Sequence, residues 1–67
     1  MSDGETITVR QLRHDLRTPL TIVTGFAEIL AGDRPVSDDD RRNYAQRIVT
    51  AADEIRQMLD AAKLAGE

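Results

Sequence analysis

The amino-acid sequence predicts an all-α fold, a hairpin of two antiparallel helices joined by a short turn. In two long segments, apolar residues recur at alternating steps of three and four, which is the spacing of a helix packed in a bundle or coiled coil. The two segments are separated only by residues 32–36, a connection short enough to return the chain antiparallel. No segment alternates apolar and polar residues in the manner of a strand.

The first helix is predicted from about residue 9 to residue 31. The central line of its apolar stripe consists of Val9, Leu12, Leu16, Pro19, Val23, Phe26 and Leu30. Leu20 and Ala27 widen the stripe on one flank, and Ile22 and Ile29 widen it on the other. A stripe of this width can contact more than one neighbouring helix.

Residues at both ends of this segment favour helix boundaries. Thr8 and Gln11 predict a capping box, in which each side chain bonds the backbone N–H of the other residue. Ile7 is placed to pack on Leu12 as a hydrophobic staple. Gly32 follows the segment and predicts a residue in the left-handed conformation that closes the helix.

The second helix is predicted from about residue 38 to residue 64, after a turn over residues 32–37. Ser37 is a favourable N-cap, and the aspartates at 38–40 place negative charge at the positive end of the helix dipole. The apolar line of this helix again advances in steps of four and three. It consists of Tyr44, Ile48, Ala51, Ile55, Met58 and Ala62.

Length and composition exclude several classes of function. A chain of 67 residues forms one domain at most and buries little surface by itself. The absence of cysteine excludes disulfides, and a single histidine argues against a zinc site, so no metal or cofactor is expected in this chain. The net charge of −3 provides no basic field for nucleic acid. No apolar stretch has membrane-spanning length, so we expect a cytoplasmic protein without membrane contact in this segment.

The width of the apolar stripes predicts a partner. One hairpin cannot cover both stripes, whereas two hairpins packed back to back would bury them in a C2 four-helix bundle. The pattern alone also permits an antiparallel coiled coil or a bundle with a different chain.

The only histidine of the chain, His14, lies away from the apolar line. With Val9 at heptad position a, His14 takes position f, which excludes a core histidine and leaves a solvated surface histidine as the alternative to a functional one. A free histidine has a pKa of about 6.5, so its ring is mostly neutral in the cytoplasm and offers a nitrogen lone pair. The adjacent Asp15 can accept the proton that the ring loses when it acts as a nucleophile.

The residues around His14 carry a family resemblance. They read His14-Asp15-Leu16-Arg17-Thr18-Pro19-Leu20. This heptapeptide resembles the H box of sensor histidine kinases, and residues 20–30 resemble the first helix of that family. The likeness extends from about residue 9 to residue 64. It implies a single dimerization and histidine phosphotransfer (DHp) domain over residues 1–67, and it favours the homodimeric four-helix bundle.

The resemblance also implies roles for individual residues. His14 would be phosphorylated and would pass the phosphoryl group to an aspartate of a response regulator receiver domain. Asp15 would assist autophosphorylation, and Thr18 would mark a phosphatase capacity. From the residues alone, Asp15 can equally be ordinary surface charge, and Thr18 can simply bond its own backbone.

Pro19 and its neighbours have further implied roles. Proline lacks the N–H that would bond the carbonyl of Asp15, so a bend of the helix is expected just after His14. In the family such a bend lets one histidine at a time reach a kinase active site. Arg17 either neutralises phosphate charge or is a plain surface residue, and Gly25 weakens the helix and permits close approach of a neighbour.

A response regulator is expected to dock on the hairpin between the histidine and the turn. Ile22 is the expected apolar anchor, although its heptad position also permits packing inside the dimer. The candidate docking residues are Thr21, Ile22, Thr24, Gly25, Glu28, Tyr44 and Arg47.

Nothing in the sequence resembles the ATP-binding boxes of a histidine kinase, so the resemblance implies that a separate catalytic domain, in cis or in trans, binds ATP and Mg²⁺. The chain would then be part of a phosphotransferase. Two alternatives stay open: a stand-alone phosphotransfer or decoy protein that depends on a kinase in trans, and a purely structural dimerization hairpin. The hand of the bundle, which decides whether phosphorylation runs within or between subunits, is also left open.

Overall fold

A computed structural model describes residues 6–64 of the chain as two long helices and two short strands. Helix α1 spans Val9–Ala31 and helix α2 spans Asp38–Ala61, and they pack against each other as a hairpin. The molecule is a rod of 47 × 18 × 16 Å. The predicted all-α hairpin is therefore confirmed. The predicted domain also includes residues 1–5 and 65–67, which lie outside the described residues.

Helix α1 begins as an N-capped helix. Thr8 is extended, with φ −88° and ψ 164°, and its Oγ1 accepts a hydrogen bond of 3.0 Å from the backbone N–H of Gln11. The other half of the predicted capping box is wrong. The Gln11 side chain points forward along the helix, and its Nε2–H donates to Oδ1 of Asp15 at 3.1 Å, a charge-assisted hydrogen bond at the i,i+4 spacing.

The end of α1 differs from the prediction. Gly32 is extended, with φ −78° and ψ 177°, so the expectation of a left-handed closing residue is wrong. Its N–H still bonds the carbonyl of Ile29 at 3.3 Å and satisfies one of the last acceptors of the helix. A Cβ at this position would lie 3.3 Å from the carbonyl oxygen of Glu28, so close backbone approach is what glycine permits here.

Helix α2 is capped at its start as predicted. Ser37 is extended, and its Oγ accepts a hydrogen bond of 3.1 Å from the N–H of Asp40. Asp38, Asp39 and Asp40 occupy the first turn, and Arg41 donates to Asp38 at 3.0 Å.

The far end of α2 stops earlier than the sequence suggests. The helix ends at Ala61, short of the predicted residue 64, and Ala62 is extended. Strand β2, Lys63–Leu64, then pairs in parallel with strand β1, Thr6–Ile7, with Thr6 opposite Lys63. The backbone of residues 63 and 64 thus finds its partners in another segment, and this pairing replaces the last helical turn. It also ties the two ends of the described chain together at the base of the hairpin.

The interface between the helices is thin. Among residues 6–63, only Pro19 and Ala51 are fully buried. The remaining residues of the two apolar lines are mostly half-buried, and the rings of Phe26 and Tyr44 stack at 5.2 Å near the turn. Six large apolar side chains stay exposed on the hairpin. They are Val9, Leu20, Ile22, Ile29, Val49 and Leu59.

Ala51→Leu should lower the free energy of unfolding by about 1–3 kcal/mol, because Ala51 is only 1 % exposed and a larger side chain has no room between the helices. Urea unfolding at one protein concentration measures the change. Ala31→Leu, the same exchange at an exposed helical position, should change it by less than about 0.5 kcal/mol. Equal effects of the two exchanges would contradict this description of the interface.

Candidate functional site

The position of His14 follows from the packing of α1. Leu12 and Leu16 lie half-buried toward α2, so the residue midway between them points outward. The side chain of His14 is 82 % exposed. An imidazole on this surface can be reached by a large partner, as a group that exchanges phosphate between proteins must be.

Asp15 lies between the exposed surface and the helix interface. Its side chain is 43 % exposed, and its Oδ1 lies 3.5 Å from Nδ1 of His14. The same oxygen accepts the 3.1 Å hydrogen bond from Gln11, which holds the carboxylate from the preceding turn. A carboxylate near Nδ1 favours the tautomer with its proton on Nδ1 and leaves the lone pair on Nε2. The contact thus favours Nε2 as the ring nitrogen with an available lone pair.

Thr18 lies one turn beyond His14 and is exposed. The sequence alone left open whether the Thr18 hydroxyl bonds the backbone of its own helix. No such bond is present at Thr18 within residues 6–64, whereas Thr21 does bond back, with its hydroxyl donating to the carbonyl of Arg17 at 2.9 Å. The Thr18 hydroxyl therefore stays available on the same side of α1 as His14.

Pro19 is fully buried against α2, and α1 continues through it as one helix. Because proline has no N–H, the carbonyl of Asp15 lacks its usual helical donor. The weakened point of the helix thus lies directly after the histidine, at the level where the ring of Pro19 contacts the other helix.

A furrow runs along one side of the hairpin from His14 toward the turn. Its lower part is lined by His14, Asp15, Thr18, Pro19, Glu54, Gln57, Met58 and Ala61. Its upper part is lined by Ile22, Asn43, Gln46, Arg47, Thr50, Ala51 and Glu54. Glu54 belongs to both parts, so the two form one surface, which we call the His14 furrow. This surface joins the histidine to both helices.

The predicted docking residues do not all lie on the furrow. Ile22 and Arg47 line its upper part, and Ile22 is 37 % exposed. Tyr44 stacks on Phe26 and borders a depression at the turn. The others line a separate depression along α1; they are Thr21, Thr24, Gly25 and Glu28. Arg17 borders that same depression, together with Arg13.

The sequence reasoning missed the contribution of α2 at the level of His14. Glu54 and Gln57 line the furrow beside the histidine, and Gln57 is held by Asp53, whose Oδ2 accepts its Nε2 at 2.7 Å. Hydrogen bonds from Arg56 and Gln57 hold the pKa of Asp53 below its usual value. The short turn indicates that the end of α2 returns beside the start of α1, and the structure adds the register that brings these two residues to the level of His14.

The structure agrees with the sequence resemblance in that an exposed histidine lies next to a carboxylate on the first helix of a two-helix hairpin. Residues 6–64 match the sequence model of the His Kinase A (phospho-acceptor) domain. The match covers most of the chain, and the protein belongs to this family.

Two proteins similar to the chain carry the name of histidine kinase. The chain is similar to the sensor histidine kinase YcbM of Bacillus subtilis, with 33 % identity over 60 residues that cover 84 % of this chain and 19 % of that protein. It is also similar to the cell-division control histidine kinase PdhS of Brucella ovis, with 28 % identity over 69 residues that cover 94 % of this chain and 7 % of that protein. The chain thus spans a fifth or less of the relatives it matches.

No solved structure matches the chain at a significant level. Within residues 6–64, neither helix combines the length and the apolar character that crossing a membrane requires.

Asp15→Asn should reduce the share of neutral His14 that carries its proton on Nδ1, because the exchange removes the negative charge near that nitrogen. Nitrogen-15 NMR of the imidazole, recorded at a pH where the ring is neutral, measures the tautomer ratio. Asp60→Asn, the same exchange on the exposed surface of α2, serves as the control and should leave the ratio unchanged. An identical ratio in both variants would remove Asp15 from the control of the tautomer.

Proposed function

We propose that His14 accepts the γ-phosphoryl group of ATP, bound with Mg²⁺ by a kinase domain in cis or in trans, and passes it to an aspartate of a response regulator receiver domain in the cytoplasm. The observation that carries the proposal is the exposed imidazole of His14 with the carboxylate of Asp15 3.5 Å from its Nδ1. Membership of the phosphoacceptor family supports it.

In the first step, the lone pair on Nε2 forms a bond to the γ-phosphorus. The bond from that phosphorus to the bridging oxygen breaks, and ADP leaves with the electron pair. Phosphorylation makes the ring more acidic, and Asp15 receives the proton from Nδ1. In the second step, a carboxylate oxygen of the receiver aspartate attacks the phosphorus, the phosphorus–nitrogen bond breaks, and Nδ1 recovers its proton.

The regulator would occupy the His14 furrow. Its aspartate must reach Nε2 of His14, and the furrow is the surface that connects this residue with both helices. Ile22 is the one exposed large apolar side chain among the residues that line its upper part, where Arg47 and Glu54 supply charges of both signs. An apolar anchor between charges is the arrangement that supplies binding energy and partner choice together.

A second copy of the chain would cover the opposite flank. Val9, Leu20 and Ala27 follow one another there on α1 at helical spacing, and the first two are exposed. On α2, Ala45, Val49, Ala52 and Leu59 repeat at steps of four, three and seven and are also exposed. A continuous apolar surface on both helices fits an isologous contact, in which each copy presents the same flank. The furrow would stay open in this dimer.

A phosphatase activity toward the regulator is the second candidate function. Thr18 supports it, because its hydroxyl lies in the His14 furrow without a backbone partner and can hold a water near the phosphoryl group of a docked receiver.

His14→Gln should abolish phosphorylation by the complete kinase of the same source and labelled ATP, with the helix content unchanged, because His14 is exposed and contributes little to packing. Asp15→Asn should slow the labelling by about 100-fold, the lower range for a positioned general base. Acid lability and base stability of the label identify a phosphorus–nitrogen bond. Labelling that persists in the His14 variant would refute the proposal.

Ile22→Ser should weaken regulator binding at least about tenfold, the effect of losing an apolar anchor, and leave the melting temperature nearly unchanged. Leu20→Ser is the matched control on the other flank, where the exposed leucine should contribute to the dimer instead. It should lower the melting temperature and preserve regulator affinity at concentrations where the dimer forms. If Ile22→Ser lowered the melting temperature and Leu20→Ser weakened regulator binding, the two flanks would have the opposite roles.

A further inference from the structure

The first half of α1 carries three arginines, and the first of them lies in the first turn, where the helix dipole favours negative charge. Arg10, Arg13 and Arg17 follow one another at steps of three and four, and the first turn of α1 contains no acidic residue. The first turn of α2, in contrast, contains three aspartates. Cations near a helix N-terminus oppose the helix dipole, and like charges at these spacings repel one another. An anion bound nearby would relieve both effects.

These arginines are free to bind such an anion. All three are exposed, and none forms an ion pair within residues 6–64, where the ion pairs of arginine are Arg41 with Asp38 and Arg56 with Asp53.

Two of the arginines bracket His14 along the helix. Arg10 precedes it by four residues and Arg17 follows it by three, and side chains at these spacings are surface neighbours with Cβ atoms about 5–6 Å apart. Helical side chains lean toward the N-terminus, so Arg17 leans over the turn of His14, and the imidazole leans over the turn of Arg10. Arg13 immediately precedes His14 and points about 100° away from it around the helix.

The charges on the other side of His14 are negative. Asp15 and Glu54 line the furrow there. A phosphoryl group on Nε2, with a charge between about −1.5 and −2, would be repelled from that side and attracted toward the arginines.

We infer that Arg10 and Arg17 hold the phosphoryl group of phosphorylated His14 between them, one guanidinium from each side along the helix axis. The inference rests on the proposed function for the identity of the modified residue and adds Arg10 as a positioning residue. Guanidinium groups suit this role because they donate two parallel hydrogen bonds to phosphoryl oxygens. The arginines stabilise the fully ionised phosphoryl group, and a docking receiver domain must compete for it.

The test uses chemical phosphorylation, which needs no kinase. Phosphoramidate transfers its phosphoryl group to imidazole: its phosphorus–nitrogen bond breaks, a bond from phosphorus to Nε2 forms, and ammonia leaves as ammonium with the ring proton. Phosphorus-31 NMR then gives the pKa of the phosphoryl group in the natural chain and in Arg10→Gln, Arg17→Gln and Arg13→Gln. Circular dichroism checks that each variant keeps its helix content.

Removal of Arg10 or of Arg17 should raise the phosphoryl pKa by about half a unit, because the variant loses a positive charge that favours the ionised form. The shift is this small because both arginines are exposed to solvent. Arg13→Gln, which removes the same charge at the same level of the helix, should shift it by less than half as much. Equal shifts in all three variants, or no shift in the Arg10 variant, would overturn the inference.

These outcomes are independent of phosphotransfer. If phosphorylated His14 passes its phosphoryl group to a receiver domain, but the phosphoryl pKa of the Arg10 variant equals that of the natural chain, the inference fails and the proposed function stands. If the expected shifts occur and the complete kinase does not label His14, the inference stands and the proposed function fails.

Discussion

The structure depends on one constraint: the apolar stripe of each helix is wider than a single neighbouring helix can cover. The hairpin buries Pro19 and Ala51 fully and leaves most of the two apolar lines half-buried. Burial of apolar area supplies most of the free energy of folding, so an interface this thin stabilises the hairpin weakly. The apolar residues left over lie on both flanks, and this distribution decides what each flank can bind.

The same packing determines the chemistry. Because Leu12 and Leu16 face α2, His14 is turned outward and Asp15 is turned toward the edge of the furrow, with its carboxylate held by Gln11. The buried ring of Pro19 removes a helical hydrogen bond one turn later. His14, its acidic neighbour Asp15 and the weakened point of the helix at Pro19 are thus placed by the register of one apolar stripe. The flank with Leu20 stays exposed in the hairpin and is the one proposed for a second copy of the chain.

Most of the fold could be predicted from the sequence because it depends on local signals. The stripes predict two helices, and Thr8 and Ser37 cap them as expected. The predictions were wrong where a distant segment or a competing hydrogen-bond partner determines the local structure. Residues 63 and 64 pair with β1 and do not extend α2. Gly32 is extended, and a Cβ there would lie 3.3 Å from the carbonyl oxygen of Glu28. The Gln11 side chain bonds Asp15 and not the helix cap. At the site, the heptapeptide singled out His14, Asp15 and Thr18, and the structure places all three on the His14 furrow. The contribution of Glu54 and Gln57 depends on the register between the helices, which a single sequence does not specify.

The dimer is the central claim, because it would cover the apolar flank and leave the His14 furrow open to a regulator. Its most direct test is sedimentation equilibrium of the natural chain across micromolar concentrations, combined with the dependence of the melting temperature on concentration. Folding linked to association predicts a mass of two chains and a melting temperature that rises with concentration. A compact monomer with a concentration-independent melting temperature would contradict the dimer and the assignment of the two flanks.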